Sequence, residues 1–538
     1  MTLSASTDSK QPNIIVILVD DMGFSDIGCF GSEIQTPNLN RLAHHGIRNT
    51  QHYNCARCCP TRGSLLTGLY PHQAGIGHMV ANRGTRAYQG YLRDDCVTMA
   101  EALKAGGYQT LMSGKWHVGG SYQTTAPETW EPGNVDHPMP LNRGFDRFFG
   151  TLEGAGSFFH PYTVLEGTAE DGWRFIAGNQ GQIQEQDFYY TDAISEKACE
   201  MIDDVTQDEA PFFLYLAYTA PHWPLHALPE DIAKYEGLYQ DGWDTLRTNR
   251  HEELKGMGIL DSKWDISPRD ETAPAWADAP NHDWEDLRMA VYAAQIDRMD
   301  QGIGRVVDQL EALGELENTL ILFMSDNGGC AEFLAEDGGL KERYGYHTAD
   351  GQPIRVGNLV DTRPGGSDTF MSYDLPWANA SNAPFRLYKH WVHEGGISTP
   401  LIAHWPAGIQ NGNQVVHEPT HVVDIMATCL DAAGVSYPDE YNGQAIQPME
   451  GESMLPLLTG ERWTRERPIF WEHEGNRAVR FGEWKVVSKF PGDWELYNMN
   501  EDRTELHNLI EKNDVQAANF MRQYMHWAER CEVIEWPV

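Results

Sequence analysis

Four short apolar runs, at 14–19, 110–113, 212–218 and 319–325, each end in a polar break. Runs of this length without polar alternation are the mark of strands buried on both faces, as in a parallel sheet. Between them the apolar spacing changes to three or four. Thr36-Pro37 suit a helix cap and first turn, Leu39, Leu42 and Ala43 form a stripe, and Gly46 stops it. A second helix is expected over 97–105, ended by Gly106-Gly107. A long one is expected over 286–313, with Met289, Ala293, Ile296, Met299, Ile303, Val306 and Leu310 on its inner face. Strand–helix alternation of this kind predicts an α/β sheet with helices on both faces.

Two stretches break the pattern. Residues 231–282 are rich in Asp, Glu, Trp and Pro, and 330–384 in Gly, Asp and Pro, with no long apolar run. Both are expected to be irregular and to shape the rim of a substrate pocket. Near the end, short strands are expected at 468–473, 477–481, 484–489 and 494–499, then an amphipathic helix at 515–530. The expected division is a catalytic α/β domain over 1–460 and a small α+β domain with an antiparallel sheet over 461–538.

A length of 538 residues fits a large domain plus a smaller one. The formal charge is −38. Such a surface repels nucleic acid and anionic membranes, so neither is an expected partner. No stretch approaches the roughly 20 apolar residues of a membrane span. The first residues lack a basic segment followed by an apolar one, so a cytoplasmic location is expected, or a periplasmic or secreted one if a signal has been removed. The nine cysteines are odd in number and mostly scattered, which suits free thiols.

Ligands of open α/β sheets sit beyond the carboxyl ends of the strands. Asp20-Asp21, Gly114-Lys115-Trp116-His117, Thr219-Ala220-Pro221-His222 and Asp326-Asn327 follow the four expected central strands. Asp20, Asp21, Asp326 and Asn327 offer only oxygen, which selects a hard cation, Ca²⁺ in preference to Mg²⁺. Adjacent strand residues point to opposite faces, so each pair converges only if the chain has already turned. Lys115, His117, His222 and Arg62 add positive or proton-donating groups, an anion pocket inside an acidic protein. Cys58 precedes Pro60 and a helix expected to end at Gly68. A thiol just before a helix N-terminus is acidified. From the residues alone it reads equally as a thiolate nucleophile or as a buried structural cysteine.

The run Cys58-Cys59-Pro60-Thr61-Arg62, with Leu66-Thr67-Gly68 beyond, resembles the first signature of type I sulfatases, C-x-P-x-R followed by T-G. The run from Gly107 through Tyr108 and Thr110 to Gly114-Lys115-Trp116-His117 matches the second, G-Y-x-T-x-x-x-G-K-W-H, at every fixed position. The chain is thus similar to formylglycine-dependent arylsulfatases of the alkaline-phosphatase-like superfamily. The resemblance implies a large mixed, mostly parallel sheet between helices. It also implies that a formylglycine-generating or anaerobic sulfatase-maturing enzyme oxidises Cys58 to Cα-formylglycine, whose hydrate attacks sulfur. Asp20, Asp21, Asp326, Asn327 and the modified Cys58 are then the Ca²⁺ ligands. Arg62 and Lys115 hold the modified residue, Asp326 activates the diol, and His117 is the general base that regenerates the aldehyde. His222 and Lys389 bind sulfate and protonate the leaving oxygen. The implied substrate is an aryl or carbohydrate sulfate monoester.

Two departures stand out: Cys59 beside the modified position, and Ser398 where Arg is common in the family. Phosphonate monoester or phosphodiester hydrolysis is the alternative, and a non-catalytic metal-binding protein a third reading. Lys115, His117 and Lys389 favour the sulfatase.

Overall fold

The computed structural model describes residues 10–122, 129–161, 163–177, 188–345, 347–348 and 351–537; the first nine residues, on which the expectation about a signal partly rests, lie outside them. Among the described residues one large sheet contains β1 (Asn13–Val19), β2 (Ile47–Tyr53), β3 (Gln109–Gly114), β4 (Arg147–Gly150), β5 (Val164–Thr168), β6 (Gly172–Ala177), β7 (Phe212–Ala217), β8 (Thr319–Ser325), β9 (Ser398–His404), β10 (Gln414–Val416) and β11 (Thr420–His421). Their order is β10-β2-β9-β8-β1-β7-β3-β4-β5-β6, with β11 also on β2. The four apolar runs seen in the sequence are the contiguous centre, β8-β1-β7-β3, and all their pairings are parallel. The sheet is mixed because β9 runs antiparallel to both β2 and β8, and β5 antiparallel to β4 and β6.

The helices used below are α1 (Pro37–His44), α2 (Cys58–Thr67), α3 (Met99–Ala105), α4 (Tyr190–Val205), α5 (Gly242–Gly256), α6 (His282–Leu313), α7 (Val423–Ala433) and α8 (Asp514–Arg530). Strand period two sorts β1 between two cores. Ile15, Ile17 and Val19 pack with α1, α4 and α6, including Leu39, Ile194, Ile296 and Ile303. Ile14, Val16 and Leu18 pack with α2, α3 and α7, including Leu65, Met99 and Ile425. The stripe expected on α6 is buried at all seven positions.

Two elements depart from the expectations. Residues 231–282 are not irregular throughout, because α5 crosses them with Trp243, Arg247, Arg250 and Leu254 on its buried face. Its periodicity is carried by arginines: Arg250 Nη1 lies 2.6 Å from Asp26, and Arg247 Nη2 donates to the Ser267 carbonyl at 2.7 Å. Strand β2, sequence IRNTQHY, is buried except at Arg48, yet its side chains are polar. Several find partners within the fold: Asn49 Nδ2 donates to Thr420 Oγ1 at 3.2 Å, and His52 Nδ1 lies 3.0 Å from the same oxygen.

The C-terminal strands β12 (Ile469–His473), β13 (Asn476–Phe481), β14 (Trp484–Ser488) and β15 (Trp494–Asn498) form an antiparallel meander close to the expected positions. One face packs on Phe520, Tyr524 and Trp527 of α8. The other, through Trp471, Ala478, Val487 and Tyr497, packs on Tyr53, Val392 and Ile397 of the large unit. Beside that apolar contact lies a buried ionic knot. Lys485 Nζ stands 2.8 Å from both Glu394 and Glu505, and Arg503 Nε 3.2 Å from Glu394. Arg503 Nη2 also donates to Ser398 Oγ at 2.6 Å. The serine that departs from the family pattern is thus met by an arginine from the C-terminal unit. All nine cysteines are free. Among the described residues no helix is long and apolar enough to cross a membrane.

Burial works to raise the Glu394 carboxyl, but Lys485, Arg503 and Arg480 hold it down to about 2. A depressed folded-state value means stability present above about 4.5, the ordinary glutamate value, and lost as pH falls towards 2. Glu394→Gln is expected to destabilise the protein by about 3–5 kcal/mol near neutrality, since it breaks a buried ion pair. Denaturant melts should show the gap to wild type narrowing as pH falls below about 4.5.

Candidate active site

The carboxyl ends of β1, β8, β3 and β7 deliver their polar residues to one edge. Convergence depends on abrupt turns. Asp21 has φ 67°, so the chain leaves the strand direction at once and both Asp20 and Asp21 face inward. His117, at φ 54°, Ala56, at 63°, and Leu387 and His390, at 66° and 91° on either side of Lys389, are bent in the same left-handed sense. Such backbone costs about 1–3 kcal/mol per residue and collects where function demands it.

Asp20, Asp21, Asp326 and Asn327 are all buried. Asn327 Nδ2 donates to Asp21 Oδ1 at 2.7 Å, and the Asp21 amide to Asp326 Oδ1 at 3.2 Å. Asp20 Oδ1 and Asn327 Oδ1 have no partner. Two orphaned oxygens beside two further carboxylates fit a hard cation, which needs oxygen ligands in numbers. The charge balance agrees. Burial and the neighbouring Asp20 push Asp326 well above the usual carboxylate range, although Arg62 lies beside it. Burial also works to raise Asp20, but Lys115, His222 and Arg62 hold it down to about 2. A further cation is what would let both ionise.

The cationic half closes over these oxygens. Arg62, fully buried, donates to Asp326 Oδ2 at 2.8 Å and to the Lys115 carbonyl at 3.1 Å. Lys115 Nζ is paired with Asp20. Lys389 Nζ lies 2.8 Å from Asp21 Oδ1 and 3.2 Å from His222 Nε2. Burial opposes the Lys389 charge, yet Asp21, Cys330 and Glu332 keep its pKa well above the ordinary lysine value. Cys58 is the first residue of α2, one position further in than the sequence suggests. A hydrogen bond from Cys59 leads the effects that hold its thiol well below the ordinary value; burial opposes, and Lys115, His117 and Lys389 assist. Burial pushes His117 down to about 4, and its Nδ1 is unpartnered. The ring fits only because residue 154 is glycine: a Cβ there would stand 2.6 Å from His117 Cε1 and Nε2.

All the expected residues therefore meet: Cys58, Arg62, Lys115, His117, His222, Asp326, Asn327 and Lys389 with Asp20 and Asp21. Four others were not foreseen. Tyr215 Oη accepts from Arg62 at 3.4 Å; it lies mid-strand, where sequence offers no signal. Arg57 pairs with Glu332 at 3.0 Å, and Trp223 Nε1 donates to Glu332 at 2.8 Å. Glu332 comes from the 330–384 stretch, which does reach the rim, whereas the α5 arginines of 231–282 are engaged elsewhere.

The family model described as Sulfatase matches residues 12–435. The chain belongs to the sulfatase family. A second model, N-sulphoglucosamine sulphohydrolase, C-terminal, matches residues 385–527. This sulfatase is 34% identical to an uncharacterized sulfatase of Schizosaccharomyces pombe over 95% of its own length and 92% of the relative. It is also 34% identical to an arylsulfatase of Klebsiella aerogenes, over 86% and 96%. Among solved structures, Ps i-CgsB in complex with k-i-k-neocarrahexaose superposes with a TM-score of 0.65 at 24% identity, covering 96% and 93% of the two chains. The phosphonate monoester hydrolase of Agrobacterium radiobacter gives 0.55 at 18% identity over 97% and 96%. These two show the shared fold. The protein is an enzyme that hydrolyses sulfate esters.

In this sulfatase Cys58→Ala is expected to lower kcat/KM for 4-nitrophenyl sulfate by a factor on the order of 10⁴ or more, as for loss of a nucleophile. Cys59→Ser retains most turnover. The reverse pattern in steady-state assays would mean that the register of the motif is wrong.

Proposed function

We propose that the chain is an arylsulfatase-type sulfuric ester hydrolase in which Cys58 is converted to Cα-formylglycine and Asp20, Asp21, Asp326 and Asn327, with the modified residue 58, hold one Ca²⁺. The observation that carries the reading is the meeting, in one buried site, of Cys58 at a helix start with an orphaned carboxylate oxygen, an orphaned amide oxygen and two lysines. The 34% identity to an arylsulfatase over nearly the whole relative supports it. When present, the hydrated aldehyde supplies a hydroxyl nucleophile and the cation draws charge from it and from the sulfate.

The chain's own residues do the rest. Arg62 holds Asp326 in place, and Lys115 does the same for Asp20. His222 Nδ1 lies 2.6 Å from the Trp223 carbonyl, so that nitrogen carries the hydrogen and Nε2 presents a lone pair to Lys389. Lys389, kept charged by Asp21, is therefore the group that binds a sulfate oxygen and delivers a proton to the leaving oxygen. Neutral His117, with Nδ1 free, accepts a proton beside residue 58. Burial excludes water and strengthens every one of these charges.

Residue 58 needs a maturing enzyme of the formylglycine-generating or anaerobic type. Mass spectrometry of the peptide spanning residue 58 should show an aldehyde in place of the thiol; unmodified, fully active protein would sink the reading. Chelation should abolish turnover of 4-nitrophenyl sulfate, with Ca²⁺ restoring it better than Mg²⁺. Phosphodiester or phenyl phosphonate turnover above sulfate turnover would favour the alternative hydrolase.

Lys389→Ala should cost about 10²–10⁴-fold in kcat for an alkyl or sugar sulfate, as for a lost general acid. The loss should be far smaller for 4-nitrophenyl sulfate, whose leaving group needs no proton. Equal losses on both would reduce Lys389 to a sulfate anchor.

A further inference from the structure

A second group of metal-binding side chains lies outside the oxygen-rich site. His390, His473 and Glu474 bring one ligand atom each within 4.8 Å of one another. They come from two distant parts of the chain. His390 follows Lys389, and its amide donates to the Ala56 carbonyl at 2.7 Å, two residues before Cys58. His473 ends β12, and Glu474 opens the two-residue turn to β13, at φ 50°. His390 Nδ1 is 2.8 Å from Glu474 Oε2. His78 Nε2 is 2.7 Å from the other oxygen, Oε1, and its Nδ1 accepts from Arg83 Nε at 3.2 Å.

His473 is the decisive member. Its side chain is 1% exposed, and neither ring nitrogen has a hydrogen-bond partner. A buried imidazole with both nitrogens unanswered carries the desolvation cost of both. His390 and Glu474 are partly open to solvent, at 27% and 22% of their side chains, which leaves an entry path.

We infer that His390, His473 and Glu474 form a binding site for a zinc-class divalent cation, separate from the oxygen-only site. Two imidazoles and one carboxylate suit Zn²⁺ or Co²⁺ and disfavour Ca²⁺ and Mg²⁺. Three protein ligands leave a fourth position for water. Bonds of about 2.0–2.1 Å set tetrahedral ligand atoms roughly 3.3 Å apart; His390 Nδ1 and Glu474 Oε2, at 2.8 Å, would part slightly, and His473 Nε2, at 3.9 Å from Glu474 Oε1, would move closer. His78 steadies the carboxylate through its second oxygen, the usual support of a metal ligand. Occupancy would tie the β12–β13 turn to the segment carrying Lys389.

Cobalt titration with saturating CaCl₂ tests this in the full-length protein. One equivalent of Co²⁺ should give the visible absorption of a tetrahedral site without a sulfur charge-transfer band, displaced by Zn²⁺. His390→Ala and Glu474→Gln should abolish it, and His78→Ala should weaken Co²⁺ binding by about 10–100-fold. Cys58→Ala should leave it unchanged. His473→Ala adds a check if it folds; the part-exposed His390 decides the matter otherwise. An absent band, one that survives both His390→Ala and Glu474→Gln, or one lost with Cys58→Ala would overturn the proposal.

Discussion

Asp20, Asp21 and Asp326 lie at the ends of two adjacent strands with almost no exposure to water, and their negative charge has to be answered within the site itself. A buried unpaired carboxylate costs several kcal/mol. The answer comes from three cations, Arg62 from α2, Lys115 from the end of β3 and Lys389 from the segment before β9, with His222 beside Lys389. Each is fixed by the strand or helix that carries it, so the sheet order is in effect a charge-balancing arrangement. The same arrangement produces the chemistry. Lys115 and Lys389, which make the carboxylates tolerable, also assist the Cys59 hydrogen bond in acidifying the Cys58 thiol at the start of α2.

How much of this was legible follows from where each residue gets its partners. The central strands could be read because a parallel strand covered on both faces must be apolar along its whole length. Strand β2 could not, since Asn49 and His52 are buried against Thr420, far along the chain. Helix α5 was hidden for a related reason: Arg247 and Arg250 occupy core-facing positions by pairing with groups outside the helix. The site residues were visible as polar breaks after strands. Their convergence was expected from the strand ends, but the left-handed turns at Asp21 and His117 on which it rests were not located in the sequence. Tyr215 lies inside an apolar run, and only the approach of Arg62 marks it out.

The expected oxidation of Cys58 came from the family motifs, whereas Ca²⁺ was already favoured by the oxygen-only donors that follow two of the strands. Ser398 shows the opposite case, in which a departure from the family pattern looked like a missing charge. Arg503 supplies a guanidinium to that serine from 105 residues further on, and it also grips Glu394. The C-terminal unit is consequently part of the wall behind the catalytic segment and not an appendage to it.

Strand β9 lies between β2 and β8 in the sheet, yet it is formed by residues near 400. Until a ribosome has produced that stretch, β8 has no neighbour on one side and the two parts of the sheet stay apart. Cys58 is 2% exposed in the finished fold, which leaves a second protein little surface by which to reach its thiol. The maturing enzyme proposed for residue 58 would have its easiest access to the thiol while the chain is still open.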